Sequence, residues 1–181
     1  MRIILFLFIS LILLWVSRRS LRNVRSHGFY RFFAFEGVVA LVLLNHPYWF
    51  EQPFALRQLM SWFLLACSVA FVLHGVQLLR IVGGQEQRQD MPENLAFENT
   101  VNLVEVGLYR FIRHPMYASL LFLAWGALLK HPAWQSLVLA LWVSAFLIAT
   151  AKIEERENLR FFGHGYRAYC ERSKMFIPFL F

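Results

Sequence analysis

The sequence predicts an all-α, polytopic membrane protein with about five transmembrane helices and a C-terminal helix lying at the interface. Three observations lead there. Hydrophobic residues make up 59% of the 181 residues, against roughly 45–50% in a soluble domain, and the mean hydropathy is +0.50. The apolar residues gather in five runs, each closed by charge, proline or a polar cluster. The basic residues also segregate by side: Arg18, Arg19, Arg22, Arg25 and Arg31 follow the first run, Arg80, Arg88, Arg110 and Arg113 the third, and Lys152, Arg156, Arg160, Arg167, Arg172 and Lys174 the fifth, whereas the opposite loops carry only Arg57 and Lys130. Cytoplasmic loops collect Lys and Arg, so the N-terminus is expected outside and the C-terminus in the cytoplasm. The net charge of +7 is thereby explained without a nucleic-acid partner.

The first run, Ile3 to Val16, is short for a hydrocarbon core of about 30 Å unless its flanks complete it. A cleaved leader is the weaker reading of it, because no small-x-small site follows and an arginine cluster would hold it as an anchor. Phe29 to Leu44 is the second span, with Arg31 near its start and Glu36 inside it. An acid in a span faces a partner or a cavity, and pairing of Glu36 with Arg31 is the favoured reading. Tyr48, Trp49 and Phe50 then read as an interfacial aromatic belt. Leu59 to Leu79 is the third and longest span; its His74 is expected to hydrogen-bond a neighbouring helix rather than to catalyse.

Arg80 to Val106, with Gly83, Gly84, Gln85, Gln87, Gln89, Asp90, Pro92 and Asn94, is the one long polar stretch. It is expected to leave the bilayer and to serve as a lid or cofactor wall, since loops of this length are usually functional or disordered. Pro115 to Lys130 and Trp134 to Ala151 are the fourth and fifth spans, joined at His131-Pro132 as an antiparallel hairpin. From Lys152 the chain turns charged, with Phe161, Phe162, Tyr166 and Tyr169 between the charges, and predicts the interfacial helix. Cys67 and Cys170 fall in different environments, so neither a disulfide nor a metal site is expected. One domain over 1–181 is the simplest partition: anchor helices in 1–79, a cytoplasmic loop in 80–106 and a cofactor-binding core in 107–181.

The chemistry gathers at Gly107 to Ser119, where a polar, ring-rich, cationic segment meets an apolar one. Pro115 suits the first turn of a helix, which places Arg113 and His114 just ahead of a positive dipole end that attracts anions. The hairpin returns Glu154, Glu155 and Arg156 to the same membrane face. From spacing alone, mutual neutralisation of these charges and a binding site are equally good readings.

Gly107, Tyr109, Arg113, His114, Pro115 and Tyr117 form the pattern Gly-x-Tyr-x-x-x-Arg-His-Pro-x-Tyr. After the hairpin come Glu154 and Glu155, then Phe162, Gly163, Tyr166 and Tyr169 as Phe-Gly-x-x-Tyr-x-x-Tyr, then Ile177 and Pro178. In these motifs, from about residue 100 onward, the chain resembles the isoprenylcysteine carboxyl methyltransferase and phospholipid methyltransferase superfamily. It departs from the pattern at Ser119, where the family usually carries glycine, and at Leu108, where proline often stands.

The resemblance implies an integral membrane methyltransferase that uses S-adenosylmethionine; the compact chain with short outer loops points to a bacterial inner membrane, and no metal is expected. Its lipophilic acceptor, a carboxylate, amine or thiol, would arrive from the bilayer. Arg113, His114 and Pro115 at the helix start would serve the cofactor's carboxylate, and Glu154, Glu155, Tyr117 and Tyr166 its amino group and sulfonium. Glu155 is the candidate base for an amine or thiol, and Arg156 the candidate cation for a carboxylate acceptor. An NADPH-dependent membrane reductase of the sterol-reductase type, or a non-catalytic scaffold or transport accessory, are the competing readings.

Overall fold

The computed structural model describes residues 1–84 and 100–178. Six α-helices follow in order: α1 (Arg2–Ser17), α2 (His27–Asn45), α3 (Leu56–Val82), α4 (Pro115–Lys130), α5 (Trp134–Phe162) and α6 (His164–Arg172), with short 3₁₀ turns at Ser20–Arg22, His46–Tyr48 and Gly107–Arg110. Among the described residues there is no strand, only an isolated parallel bridge between Ile112 and Lys174.

Three segments are long and apolar enough to cross a membrane: His27–Tyr48, Leu56–Val82 and Trp134–Phe162. Helices α1 and α4 are apolar but shorter, at 16 residues each, about 24 Å at 1.5 Å per residue. Helix α4 packs on α3 and α5 on α2, while α1 packs on α2 at the periphery. The core between them is aliphatic and small-residue rich, with Ala34, Leu41, Ala124, Ala127, Ala140, Val143 and Leu147 all buried.

Polar side chains pin the helices at defined heights. Asn45 donates to the Ala127 carbonyl at 2.8 Å and accepts from Ser136 at 2.9 Å, tying α2 to α4 and α5. Ser61 donates to the Gly126 carbonyl at 2.6 Å, tying α3 to α4. Buried polar groups need such partners, and each pair fixes a register that apolar packing alone leaves loose.

Lys130, counted in the sequence with the charges of the opposite loops, is the last residue of α4. It is wholly buried, its Nζ donating to Gln58 at 2.9 Å and lying 3.4 Å from the centre of the Trp62 ring. Arg57 caps the end of α4 by donating to the carbonyls of Leu129 and Lys130. The aromatic belt joins this end of the bundle, with Tyr48 stacked on His131 at 3.8 Å. Glu36 accepts from Ser10 of α1 at 2.6 Å, a partner on a neighbouring helix.

The interfacial helix does not begin at Lys152. Helix α5 runs unbroken to Phe162, because Lys152 to Phe162 is built mainly from good helix formers and contains no glycine or proline. The break comes at Gly163, with φ +59°, and only α6 beyond it is a separate helix. Glu154 and Glu155 therefore ride on the continuous end of α5 rather than on a separate interfacial helix.

Of the predicted polar loop, Gln85, Gln87, Arg88, Gln89, Asp90, Pro92 and Asn94 lie outside the described residues. Its close is described. Gly107 has φ +58°, and a Cβ there would stand 2.7 Å from both His74 Nε2 and Leu78 Cδ1 of α3. Only glycine lets the backbone turn so near that helix.

Candidate functional site

The Arg-His-Pro segment is held in place by the tail of the chain. The Arg113 amide donates to the Lys174 carbonyl at 2.7 Å, His114 to Met175 at 3.1 Å, and Lys174 back to Phe111 at 2.9 Å. Pro115 then opens α4 as expected, its ring fixing φ where no amide hydrogen is needed. His114 is the residue just before it, and is buried.

Arg113 is used as a fork. Its Nε lies 2.5 Å from Glu155 Oε1, and its Nη1 donates to the carbonyls of Cys170, at 3.3 Å, and Ser173. One planar group thus joins the start of α4 to α5 and α6, a geometry lysine cannot reproduce. The His114 ring stacks on Tyr117 at 5.3 Å and 15°, with Nδ1 3.8 Å from Glu154 and Nε2 3.4 Å from Glu155. The Tyr117 hydroxyl donates to Glu154 Oε2 at 2.5 Å.

These groups frame a cavity of about 680 Å³, measured out to its open mouth, that draws on α3, α4, α5, α6 and the segment between α3 and α4. Glu154, Asn158 and Phe162 line it from α5. Spaced by four, they form one stripe of a helix face. Tyr166 and Tyr169 close it from α6, Arg113, His114, Met116 and Tyr117 from the start of α4, and Leu79 from α3. Thr100, Leu103 and Val104 supply a wall from the described part of the predicted loop, and Tyr109 adds to it from the Gly107–Arg110 turn. Tyr169 is fixed there by donating to the Tyr109 carbonyl at 2.5 Å. Burial, followed by the charges of Glu154 and Glu155, pushes the Tyr166 phenol well above its ordinary range, against an opposing hydrogen bond from Asn158.

Of the residues singled out in the sequence, Arg113, His114, Tyr117, Glu154 and Tyr166 meet at this cavity. Glu155 stands one layer behind, committed to Arg113 and His114. Pro115 shapes the helix start without lining the space. Arg156 is exposed on α5 and does not line the cavity, because one step along a helix turns a side chain by about 100°.

Sequence reasoning missed Asn158, Phe162, Tyr169 and Tyr109 as wall residues, and missed His27 and Glu157 altogether. The stripe at 154, 158 and 162 was available from helical spacing once α5 was continued past Lys152. The His27–Glu157 contact joins residues 130 apart and leaves no local signal.

The donor set suits a molecule with a cationic centre: a carboxylate faces the cavity, and aromatic rings enclose it. The open first turn of α4 offers backbone N–H groups to an anionic one.

A family model described as phospholipid methyltransferase matches residues 56–164. Among curated proteins, the chain is 32% identical over 71 residues to methanethiol S-methyltransferase 1 of Bradyrhizobium diazoefficiens, a match that covers 39% of this chain and 24% of that protein. It is also 32% identical over 73 residues to methanethiol S-methyltransferase of Pseudomonas deceptionensis, covering 40% of this chain and 27% of that protein. The chain thus spans about a quarter of the length of the curated relatives it matches. No solved structure matches it.

Proposed function

The chain belongs to the phospholipid methyltransferase family, and from that premise we propose that it transfers a methyl group from S-adenosylmethionine to a lipophilic acceptor reached from the bilayer. The observation that carries the reading is the cavity in which Glu154, held by Tyr117, faces a ring of Tyr109, Phe162, Tyr166 and Tyr169. Glu154 and these rings would hold the amino group and sulfonium; His114 and the first turn of α4, kept in place by Arg113 and Pro115, would take the carboxylate. When bound, S-adenosylmethionine supplies the electrophilic methyl group. The protein's own work is alignment and exclusion of water, which for well-oriented groups offsets about 7–11 kcal/mol of barrier.

The curated relatives carry names that specify a thiol acceptor, and we extend a thiol, rather than a carboxylate or amine, to this chain. In this reading Glu154 would accept the thiol proton in place of Glu155, which is supported by Glu154 lining the cavity and Glu155 pairing with Arg113. Arg156 keeps no part in this set. The comparisons name methyltransferases and so favour neither the reductase nor the scaffold reading. We further propose that α1 and α4, completed by their flanks, join the three long helices as five spans in one domain, with the basic end and the cavity cytoplasmic and the protein in a bacterial inner membrane.

Calorimetry on the detergent-solubilised protein tests the cofactor. S-adenosylmethionine and S-adenosylhomocysteine are expected to bind saturably, NADPH not, and His114→Ala to abolish the binding while the protein stays folded. Binding of NADPH alone would transfer the cavity to a reductase.

A further inference from the structure

Helix α5 carries three carboxylates within four residues, and each is held by a different element. Glu154 accepts from Tyr117 in α4, and Glu155 pairs with Arg113 ahead of it. The third, Glu157, points away from the cavity toward the first residue of α2. There His27 Nδ1 lies 2.5 Å from Glu157 Oε2, and the His27 backbone amide donates to Oε1 at 3.2 Å. One carboxylate is thus gripped by two donors of one residue, with His27 1% and Glu157 6% exposed.

The grip is prepared locally. Ser26 caps α2 by accepting from the Gly28 amide, so the helix start is rigid where it meets α5. Neither His27 nor Glu157 lines the cavity.

Resting on the methyltransferase reading, we propose that His27 and Glu157 form a positioning latch for the cavity: they set the rotation of α5 about its own axis so that Glu154 faces Tyr117 and Glu155 faces Arg113. A turn of one residue moves a side chain by about 100°. The other described hydrogen bonds between α2 and α5, Ser136 to Asn45 and Trp142 to Phe33, lie nearer the opposite end of α5, so without the pair its charged end could turn far enough to break both contacts. A buried, hydrogen-bonded pair resists such drift because an alternative rotation leaves the carboxylate buried without its partners.

The test uses the full chain in detergent and reads the cavity in two ways. His27→Ala and Glu157→Ala are expected to weaken S-adenosylmethionine binding and to lower kcat/KM by about tenfold or more, as small misplacements do. The double variant should be no worse than either single one. His27→Asn, which keeps a donor near the position of Nδ1, and Glu157→Gln, which keeps an acceptor, should recover most of the loss and serve if the alanine variants fail to fold. Lys130→Met, at the other end of the bundle, is expected to lower thermal stability without changing binding.

A 3-fluorotyrosine placed at position 117 gives the second readout, a fluorine resonance that reports the Tyr117–Glu154 contact with no ligand present. It should shift in the latch variants and not in Lys130→Met. Latch variants that melt earlier yet keep both wild-type binding and the wild-type resonance would reduce the pair to packing and overturn the proposal. If the wild-type protein bound no S-adenosylmethionine, the methyltransferase reading would fall, and the fluorine shift would still decide whether the pair positions Glu154.

Discussion

The Tyr117 hydroxyl donates to Glu154 across 2.5 Å, joining the first turn of α4 to the charged end of α5. The same ring stacks on His114, so Tyr117 supplies both a wall and a donor. Tyr117→Phe keeps the wall and removes the donor. Hydrogen bonds to charged groups contribute about 1.5–3 kcal/mol, and with Glu154 26% exposed the lower end applies. Calorimetry should read about a tenfold loss of S-adenosylmethionine affinity with little change in melting temperature, since water replaces the lost donor in the empty cavity.

Arg113 is expected to tolerate no cation of another shape. Its guanidinium reaches Glu155 and two carbonyls of the segment after α5 at once. A lysine ammonium has neither the planarity nor the span to do so. Removing one partner of a buried pair costs about 3–5 kcal/mol, and Arg113→Lys should approach the lower figure because one ion pair is kept. The checks are a melting temperature lowered by several degrees and faster cleavage of residues 173–178 by carboxypeptidase. A variant with wild-type values in both would show that Arg113 does not anchor the tail.

The alkaline limit of stability follows from α6. Burial raises the Tyr166 phenol above its ordinary value of 10, with Glu154 and Glu155 adding to it. Burial likewise raises Tyr169 above 10 and Cys170 above 9, in both cases against an opposing effect of Arg113. A group whose folded pKa is raised contributes stability that is fully present below its unfolded value and is lost as pH rises toward the folded one. Melting temperature should therefore show no loss from these groups near neutral pH, begin to fall above about 9 and fall more steeply above about 10. Tyr166→Phe removes one of the three groups, so the drop between about pH 8 and about pH 11 should shrink. An unchanged drop would remove Tyr166 from this account.

How legible this was in the sequence depended on whether the signal was local. Helix α4 begins at Pro115 as expected because proline's missing amide hydrogen and fixed φ are properties of one residue. The convergence of Arg113, His114, Tyr117 and Glu154 followed from a hairpin of known length. The extent of α5 was misread because a change from apolar to charged composition marks where a helix meets water, not where its backbone ends. The end is set by Gly163 and its positive φ. The burial of Lys130 had no local signal: it stands at a span end, and only the tertiary fold brings Trp62 and Gln58 around it. The His27–Glu157 pair had no local signature at all.

The charge of the acceptor follows from what the cavity wall contains. Among the described lining residues Arg113 is the one Arg or Lys, and its guanidinium is already taken up by Glu155 and the Cys170 and Ser173 carbonyls. Glu154 faces the space, and Arg156 lies exposed outside it. A carboxylate acceptor would have to approach Glu154 without a counter-ion of its own. Two like charges about 4 Å apart repel by about 4 kcal/mol at an effective dielectric of about 20, a factor of several hundred in binding. A neutral thiol meets no such barrier, and its apolar chain is compatible with Leu79, Leu103, Val104 and Met116 on the wall. With a matched pair of lipophilic substrates differing only in thiol against carboxylate, kcat/KM for the thiol should be higher by at least about a hundredfold, and Arg156→Ala should change neither value. A preference for the carboxylate that Arg156→Ala abolishes would mean that Arg156 reaches the cavity when substrate binds, and would restore to it the part that the sequence suggested.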